Sequence, residues 1–165
     1  MVGWAISLFC VIAGVGLCTS ASQARDLQGR LGLGYNDEFV NSFVDQHVPG
    51  ISIKYGLTRD IAAEAVFGVA TTSPVDTVTG IKFFKNLFYE TNLNFYYMLG
   101  GAILSAQSRS GVEFLTGVGV EFFIPGLESL GFATETGGSF DNLSGSFALR
   151  TLGVSFLDAG IHFYF

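Results

Sequence analysis

Few side chains in this sequence are of types that do chemistry, and their spacing assigns them no reaction. Histidine occurs twice, at His47 and His162. A histidine base needs a nucleophile within hydrogen-bond reach and a third group to orient it. His47 stands in the polar run Asp45-Gln46-His47, where Ser105, Ser108 or Ser139 from other connections could meet it. No spacing joins them, so no catalytic residue is assigned. Two histidines without a neighbouring third ligand define no metal site, and no cofactor is expected. Cys10 and Cys18 both lie in the N-terminal segment, so a chain that loses this segment has no thiol for disulfide, nucleophile or metal.

The composition narrows the class further. The formal net charge is −6 and no cluster of Lys and Arg occurs, which argues against a nucleic-acid partner. The chain is 49% hydrophobic and 15% aromatic but only 13% charged, against about a quarter charged in an ordinary soluble domain. Yet after residue 24 no apolar run approaches the ~20 residues of a membrane helix. The apolar excess must fill a large core or be spread over many short segments facing lipid.

The first 24 residues read as an export leader. Residues 3–17 form an uncharged apolar run, followed by Thr19-Ser20-Ala21-Ser22-Gln23-Ala24. Ser22 and Ala24 suit the −3 and −1 positions of a signal-peptidase site, with cleavage before Arg25. The region ahead of the run lacks Lys and Arg. Leu17 before Cys18 argues against lipidation, because a lipoprotein signal carries a small residue there. The expected organisation is a signal peptide, 1–24, and one domain, 25–165.

Beyond residue 25 the dominant period is two, the period of a strand. In 27–35, Leu27, Gly29, Leu31, Leu33 and Tyr35 alternate with Gln28, Arg30, Gly32 and Gly34. In 51–58, Ile51, Ile53, Tyr55 and Leu57 alternate with Ser52, Lys54, Gly56 and Thr58. A third strand follows the turn at Thr58-Arg59-Asp60, with Glu64 on its polar face, and a fourth spans about 78–88. The fifth runs from Leu93 with Asn94, Tyr96, Met98 and Gly100 on one face, and the sixth alternates Phe114–Ile124 with Glu113, Leu115, Gly117, Gly119 and Glu121. The seventh, about 130–137, has only Leu130 and Phe132 to anchor it, and the eighth ends the chain.

Connections near 59–60, 89–92 and 125–129 are short; those near 37–49, 71–77, 104–110 and 138–149 are longer and mostly polar. Short turns at one end and longer loops at the other suit an outer-membrane barrel. A spanning strand cannot leave backbone groups unpaired in hydrocarbon, so the sheet must close. One set of faces is apolar and nearly charge-free, with Lys85 the exception, accounted for by a position at the membrane boundary or by a bulge. The opposite faces carry most glycines and the charges Arg30, Lys54, Glu64, Lys82, Glu113, Glu121, Glu135 and Asp158. An eight-stranded barrel has an interior only wide enough for side chains, so these charges are expected to pair as a polar filling. In the first loop, Phe39, Val40, Phe43, Val44 and Val48 follow Asn36-Asp37 at a spacing that fits a short amphipathic helix or extensions of the first two strands.

The C-terminal octapeptide carries a family resemblance. Asp158-Ala159-Gly160-Ile161-His162-Phe163-Tyr164-Phe165 resembles the terminal strand signal read by the outer-membrane barrel assembly machinery, with Asp158, Gly160, Phe163 and Phe165 at its specified positions. In layout, the chain is similar to small eight-stranded barrels of the OmpA/OmpX/OmpW type. The resemblance implies an all-β, closed antiparallel eight-stranded transmembrane β-barrel in a bacterial outer membrane, inserted by that machinery and surrounded by outer-membrane lipid and lipopolysaccharide. It implies no single activity, because such barrels include structural, adhesive, solute-carrying and enzymatic proteins. The function expected is structural or surface-interactive, by a monomer that meets a surface ligand through loops 37–49 and 138–149. The alternatives are a narrow pore or conduit for small or hydrophobic solutes, and a lipid A-modifying enzyme. The His-x-Ser-Asn run of the lipid A deacylase family is absent.

Overall fold

Period-two alternation becomes nine antiparallel strands in the computed structural model, which describes residues 26–36, 50–71, 75–106, 109–152 and 157–165. They are β1 (Leu31–Asn36), β2 (Gly50–Gly56), β3 (Ile61–Ala70), β4 (Asp76–Glu90), β5 (Leu93–Ala106), β6 (Arg109–Phe123), β7 (Leu130–Leu143), β8 (Ser146–Thr151) and β9 (Asp158–Tyr164). The expected leader, the 37–49 connection with its apolar positions, His47 and Ser108 lie outside the described residues.

Each strand from β1 to β7 pairs with its successor, and β9 pairs with both β1 and β7, which closes the sheet. One half of β7 pairs with β8 (Gly138 opposite Thr151) and the other half with β9 (Glu135 opposite Asp158). β8 and β9 therefore share one position in the wall, and the barrel is eight-stranded. Pairing on both sides of a strand is the arrangement that satisfies backbone groups without water; among the described residues β8 is paired with β7.

Several sequence expectations need correction. The stretches 104–110 and 138–149, expected as longer loops, are mostly strand. β5 reaches Ala106 and β6 begins at Arg109. β7 extends to Leu143, well past the expected 137, and turns through Ser144 (φ 51°) and Gly145 (φ 87°). Two successive residues with positive φ make the tight hairpin whose twist matches the flanking strands. Polar and glycine-rich composition hid this hairpin, although Phe140, Phe147 and Leu149 alternate along it and face outward. β4 is likewise longer than expected, and β8 is an additional strand, while the expected last strand is found as β9. The alternation in 27–35 also fails at Gly29, which has φ 74°. That turn sends Leu27 inward against Phe123 and Tyr164, away from the outer face that Leu31 occupies.

Lys85 remains on the outer face. It lies at the short-turn end, 3.6 Å from Asp60, and the bulge in β4 follows directly after it, between Asn86 and Phe88. Tyr89 donates its hydroxyl to Asp60, and this bond together with Lys85 holds the Asp60 carboxyl below its usual range.

Inward glycines provide the room that the large interior side chains need. A Cβ on Gly119 would lie 2.7 Å from the Tyr96 ring. That ring cannot swing aside freely, because its hydroxyl donates to Glu135 at 2.5 Å. Gly119→Ala is therefore expected to destabilise the barrel by about 1–3 kcal/mol. Urea midpoints measure this, and a loss that persists in full in a Tyr96→Ala background would assign it to something other than the ring.

Candidate functional site

Register places opposite charges side by side in the barrel interior. Lys54 on β2 is opposite Glu64 on β3, and Glu64 is opposite Lys82 on β4. Across the lumen, Lys54 Nζ meets Glu121 Oε2 at 2.9 Å and Lys82 Nζ meets Glu135 Oε2 at 3.2 Å; on the neighbouring strand, Glu64 is 3.7 Å from Lys82 Nζ. All five side chains are buried. The Phe84 ring packs edge-on against Tyr96 and presents its π system to both ammonium groups, at 4.4 Å from Lys54 and 5.4 Å from Lys82. The Tyr164 hydroxyl donates to Glu121 Oε1 at 2.6 Å. Glu121 and Glu135 thus gain charge-assisted bonds that offset their loss of water.

β1 lets the two sides of this network meet. Its inward positions are Gly32, Gly34 and Asn36, the first two without a side chain. Ser52 and His162 both lie opposite Gly34 in the register, one on each side. With no side chain between them, Ser52 Oγ reaches His162 Nε2 at 2.8 Å. His162 Nε2 is also 3.3 Å from Glu64, and its Nδ1 is 3.8 Å from Glu121. A serine, a histidine and a carboxylate within reach have the makings of an activated nucleophile. Here Ser52 is 0% exposed and His162 1%, so the set is buried in the barrel core.

The other expected interior residues are distributed along the barrel. Arg30 is near the short-turn end and donates to the Tyr164 backbone carbonyl at 3.3 Å, so it caps the last strand. Asp158 is buried opposite Glu135 in the β7–β9 register, and Glu113 is buried opposite Asp141 in β6–β7. Asp141 in turn pairs with Arg150 at 3.2 Å. Ser139 is buried in the interior and Ser105 is half-buried near the end of β5.

Sequence reasoning left Ser52, Tyr96, His162 and Tyr164 out of the network and left the buried Asp76 and Asp141 off the inward faces. Their parity was the available signal, because each shares an inward face with a residue already assigned there. Asp76 and Asp141 were hidden by the misread loops.

Apolar side chains fill much of the interior beside these polar groups. Val66, Val78, Met98, Leu104, Leu115 and Leu152 form one buried cluster with Phe84 and Tyr96. Leu27, Phe123 and Tyr164 close the short-turn end. The outer face is the reverse of a soluble protein's. Leu33, Ile53, Phe83, Leu99, Ile103, Phe114 and Phe163 are all exposed. Of the described charged residues, Glu90 and Arg109 stand at strand ends, and Lys85 lies opposite Ile61, the first residue of β3. Among the described residues, no group of three His, Cys, Asp or Glu is placed to hold a metal ion.

This arrangement has a counterpart among solved structures. The N-terminal β-barrel domain of Pseudomonas aeruginosa OprF superimposes with a TM-score of 0.54 and 16% identity, over 87% of this chain and 100% of that one. The chain has the OprF-type barrel fold. At such identity the likeness extends to the closed eight-stranded wall and not to particular side chains. No protein-family model matches the sequence, and no curated protein matches it.

Proposed function

We propose that the chain is an integral outer-membrane β-barrel protein with a filled interior, and that its role is structural or surface-interactive. One observation carries this reading: an exposed apolar belt surrounds a closed wall whose inside holds buried, paired charges. In water such a belt would be an aggregation surface far larger than the few hundred Å² a soluble monomer exposes; in a bilayer it is the required solvent-facing surface. β4 to β7 have 14 or 15 residues each, more than the roughly 9–11 needed to cross hydrocarbon. Their surplus projects beyond the membrane and offers hairpins to a surface partner. The leader expected at 1–24 and the C-terminal strand, with Asp158, Gly160, Phe163 and Phe165, are the elements that would deliver the chain to that membrane and to the assembly machinery.

The buried ion pairs and the apolar side chains packed beside them support a filled interior over a pore. Planar-bilayer recording of the refolded protein, with folding checked by heat-dependent gel mobility, tests this reading. Folded protein without discrete conductance steps is the expected result. Reproducible openings would overturn the filled interior and make Lys54, Lys82, Glu64, Glu121 and Glu135 a gate. A lipid A-modifying role is disfavoured because the serine–histidine pair in the described residues is buried inside the barrel. A change in lipid A mass on deleting the gene would reverse that judgement.

A further inference from the structure

Along β4 the outward positions run Ile81, Phe83, Lys85, so a cation follows two apolar side chains on one face. Register sets Lys85 between Ile61 on β3 and Tyr97 on β5, and all three are exposed on the outer wall. Ile61 begins β3 directly after the Thr58-Arg59-Asp60 turn, which puts this row at the short-turn end. The outer face is aromatic toward that end: Tyr55, Phe88, Tyr97, Phe122 and Phe163 are all exposed. A ring of aromatic side chains marks the boundary between hydrocarbon and headgroups. Lys85 therefore stands at the depth of the phosphates. Phe83 and Leu99, opposite one another, form the next outward row toward the hydrocarbon.

The neighbours of Lys85 do not balance its charge. Asp60 Oδ2 is 3.6 Å from the ammonium, longer than a charge-assisted hydrogen bond of about 2.7–2.9 Å, and both side chains are about half exposed. The same carboxylate accepts from the Tyr89 hydroxyl, and the Arg59 guanidinium lies 5.1 Å from the Tyr89 ring centre, close enough to act on Asp60 as well. One carboxylate thus serves two cations, and Arg59, Asp60 and Lys85 together are positive in a chain of net charge −6. An ammonium has three donors, so Lys85 can keep Asp60 and bind a second anion. We propose that Lys85 binds the phosphate of an anionic phospholipid in the leaflet at the short-turn end, with the lipid's acyl chains against Phe83 and Leu99. The inference rests on the membrane reading above. Outward direction, boundary depth and unbalanced positive charge fit a molecule that is anionic at the boundary and apolar beyond it. A zwitterionic lipid fits less well, because its own ammonium group offsets its phosphate. A second copy fits less well too, because a two-fold contact would set Lys85 against Lys85.

The test is native mass spectrometry of the full chain released from nanodiscs of equimolar dimyristoyl phosphatidylglycerol and dimyristoyl phosphatidylcholine. Wild type is expected to retain phosphatidylglycerol over phosphatidylcholine about fivefold, the worth of one basic residue near an anionic surface. Lys85→Gln should lose that preference, and Lys85→Arg should keep it. Asp60→Asn removes the competing carboxylate and should raise the preference above that of wild type. Lys85 is exposed, and asparagine at 60 still offers Tyr89 an acceptor, so both changes leave the wall intact. An ion pair that only braces the turn would leave lipid retention the same in all four proteins. Equal retention of the two lipids by wild type, or a preference that Lys85→Gln and Asp60→Asn do not move, overturns the proposal. So does a dimer released in place of a lipid-bound monomer. Heat-dependent mobility and entry into the nanodisc are read separately. A chain that never enters sinks the membrane reading, and one that enters folded but shows no lipid preference sinks the Lys85 site alone.

Discussion

A Glu121→Leu barrel is expected to lose about 3–5 kcal/mol of stability, the cost of leaving a buried charge without its partner. Glu121 is the acceptor for Lys54 Nζ at 2.9 Å and for the Tyr164 hydroxyl at 2.6 Å. Its removal leaves an ammonium group at 3% exposure, with aromatic faces but no carboxylate at that distance. The double variant Lys54→Met/Glu121→Leu removes both charges and should recover most of the loss. A remainder of about 1–3 kcal/mol is expected from the Tyr164 hydroxyl, now without its acceptor. Adding Tyr164→Phe should remove that remainder too. Urea unfolding of the four proteins in phospholipid vesicles gives the comparison. If the single and double variants are equally unstable, Glu121 stabilises by filling space and the ionic account of the interior is wrong.

Leu99→Arg addresses the outer face. Leu99 is half-exposed midway along β5, between Phe83 and Thr116 in its cross-strand row. If hydrocarbon surrounds it, an arginine there destabilises by ~2–4 kcal/mol, whereas arginine at Ser105 near the strand end costs only ~0–1 kcal/mol. If water surrounds the wall, the same change at Leu99 stays within about ±0.5 kcal/mol, as for an ordinary surface position. Urea midpoints in vesicles distinguish the two, and equal effects at Leu99 and Ser105 would remove the membrane from the account. A depth-dependent cost is a property of the bilayer, so this variant tests the setting of the protein independently of its interior.

The sequence alone determined the strand period, the inward and outward faces and the charged set. These are legible because side-chain direction alternates strictly along a strand, so a local pattern of apolar and polar residues states which face each residue occupies. Lys54, Glu64, Lys82, Glu121 and Glu135 share inward faces by parity, and the structure places them together. Tyr96 and His162 were on those faces as well, but nothing local marks a tyrosine or a histidine as a partner for a carboxylate many residues away.

Tertiary structure decided the rest, and the reasons are physical. Which charge meets which depends on register around a closed barrel: Lys54 finds Glu121 and Lys82 finds Glu135 across 67 and 53 residues of sequence. The meeting of Ser52 and His162 depends on two strands flanking the bare inward face of Gly34, a three-strand relation that no single segment encodes. The extents of β7 and β8 depend on the Ser144–Gly145 turn pairing two polar, glycine-rich stretches that carry weak strand preference on their own. The inward turn of Leu27 follows from one glycine with positive φ and from the apolar end of the barrel formed by Phe123 and Tyr164. Alternation fixes which way a side chain points; only closure of the sheet fixes what it points at.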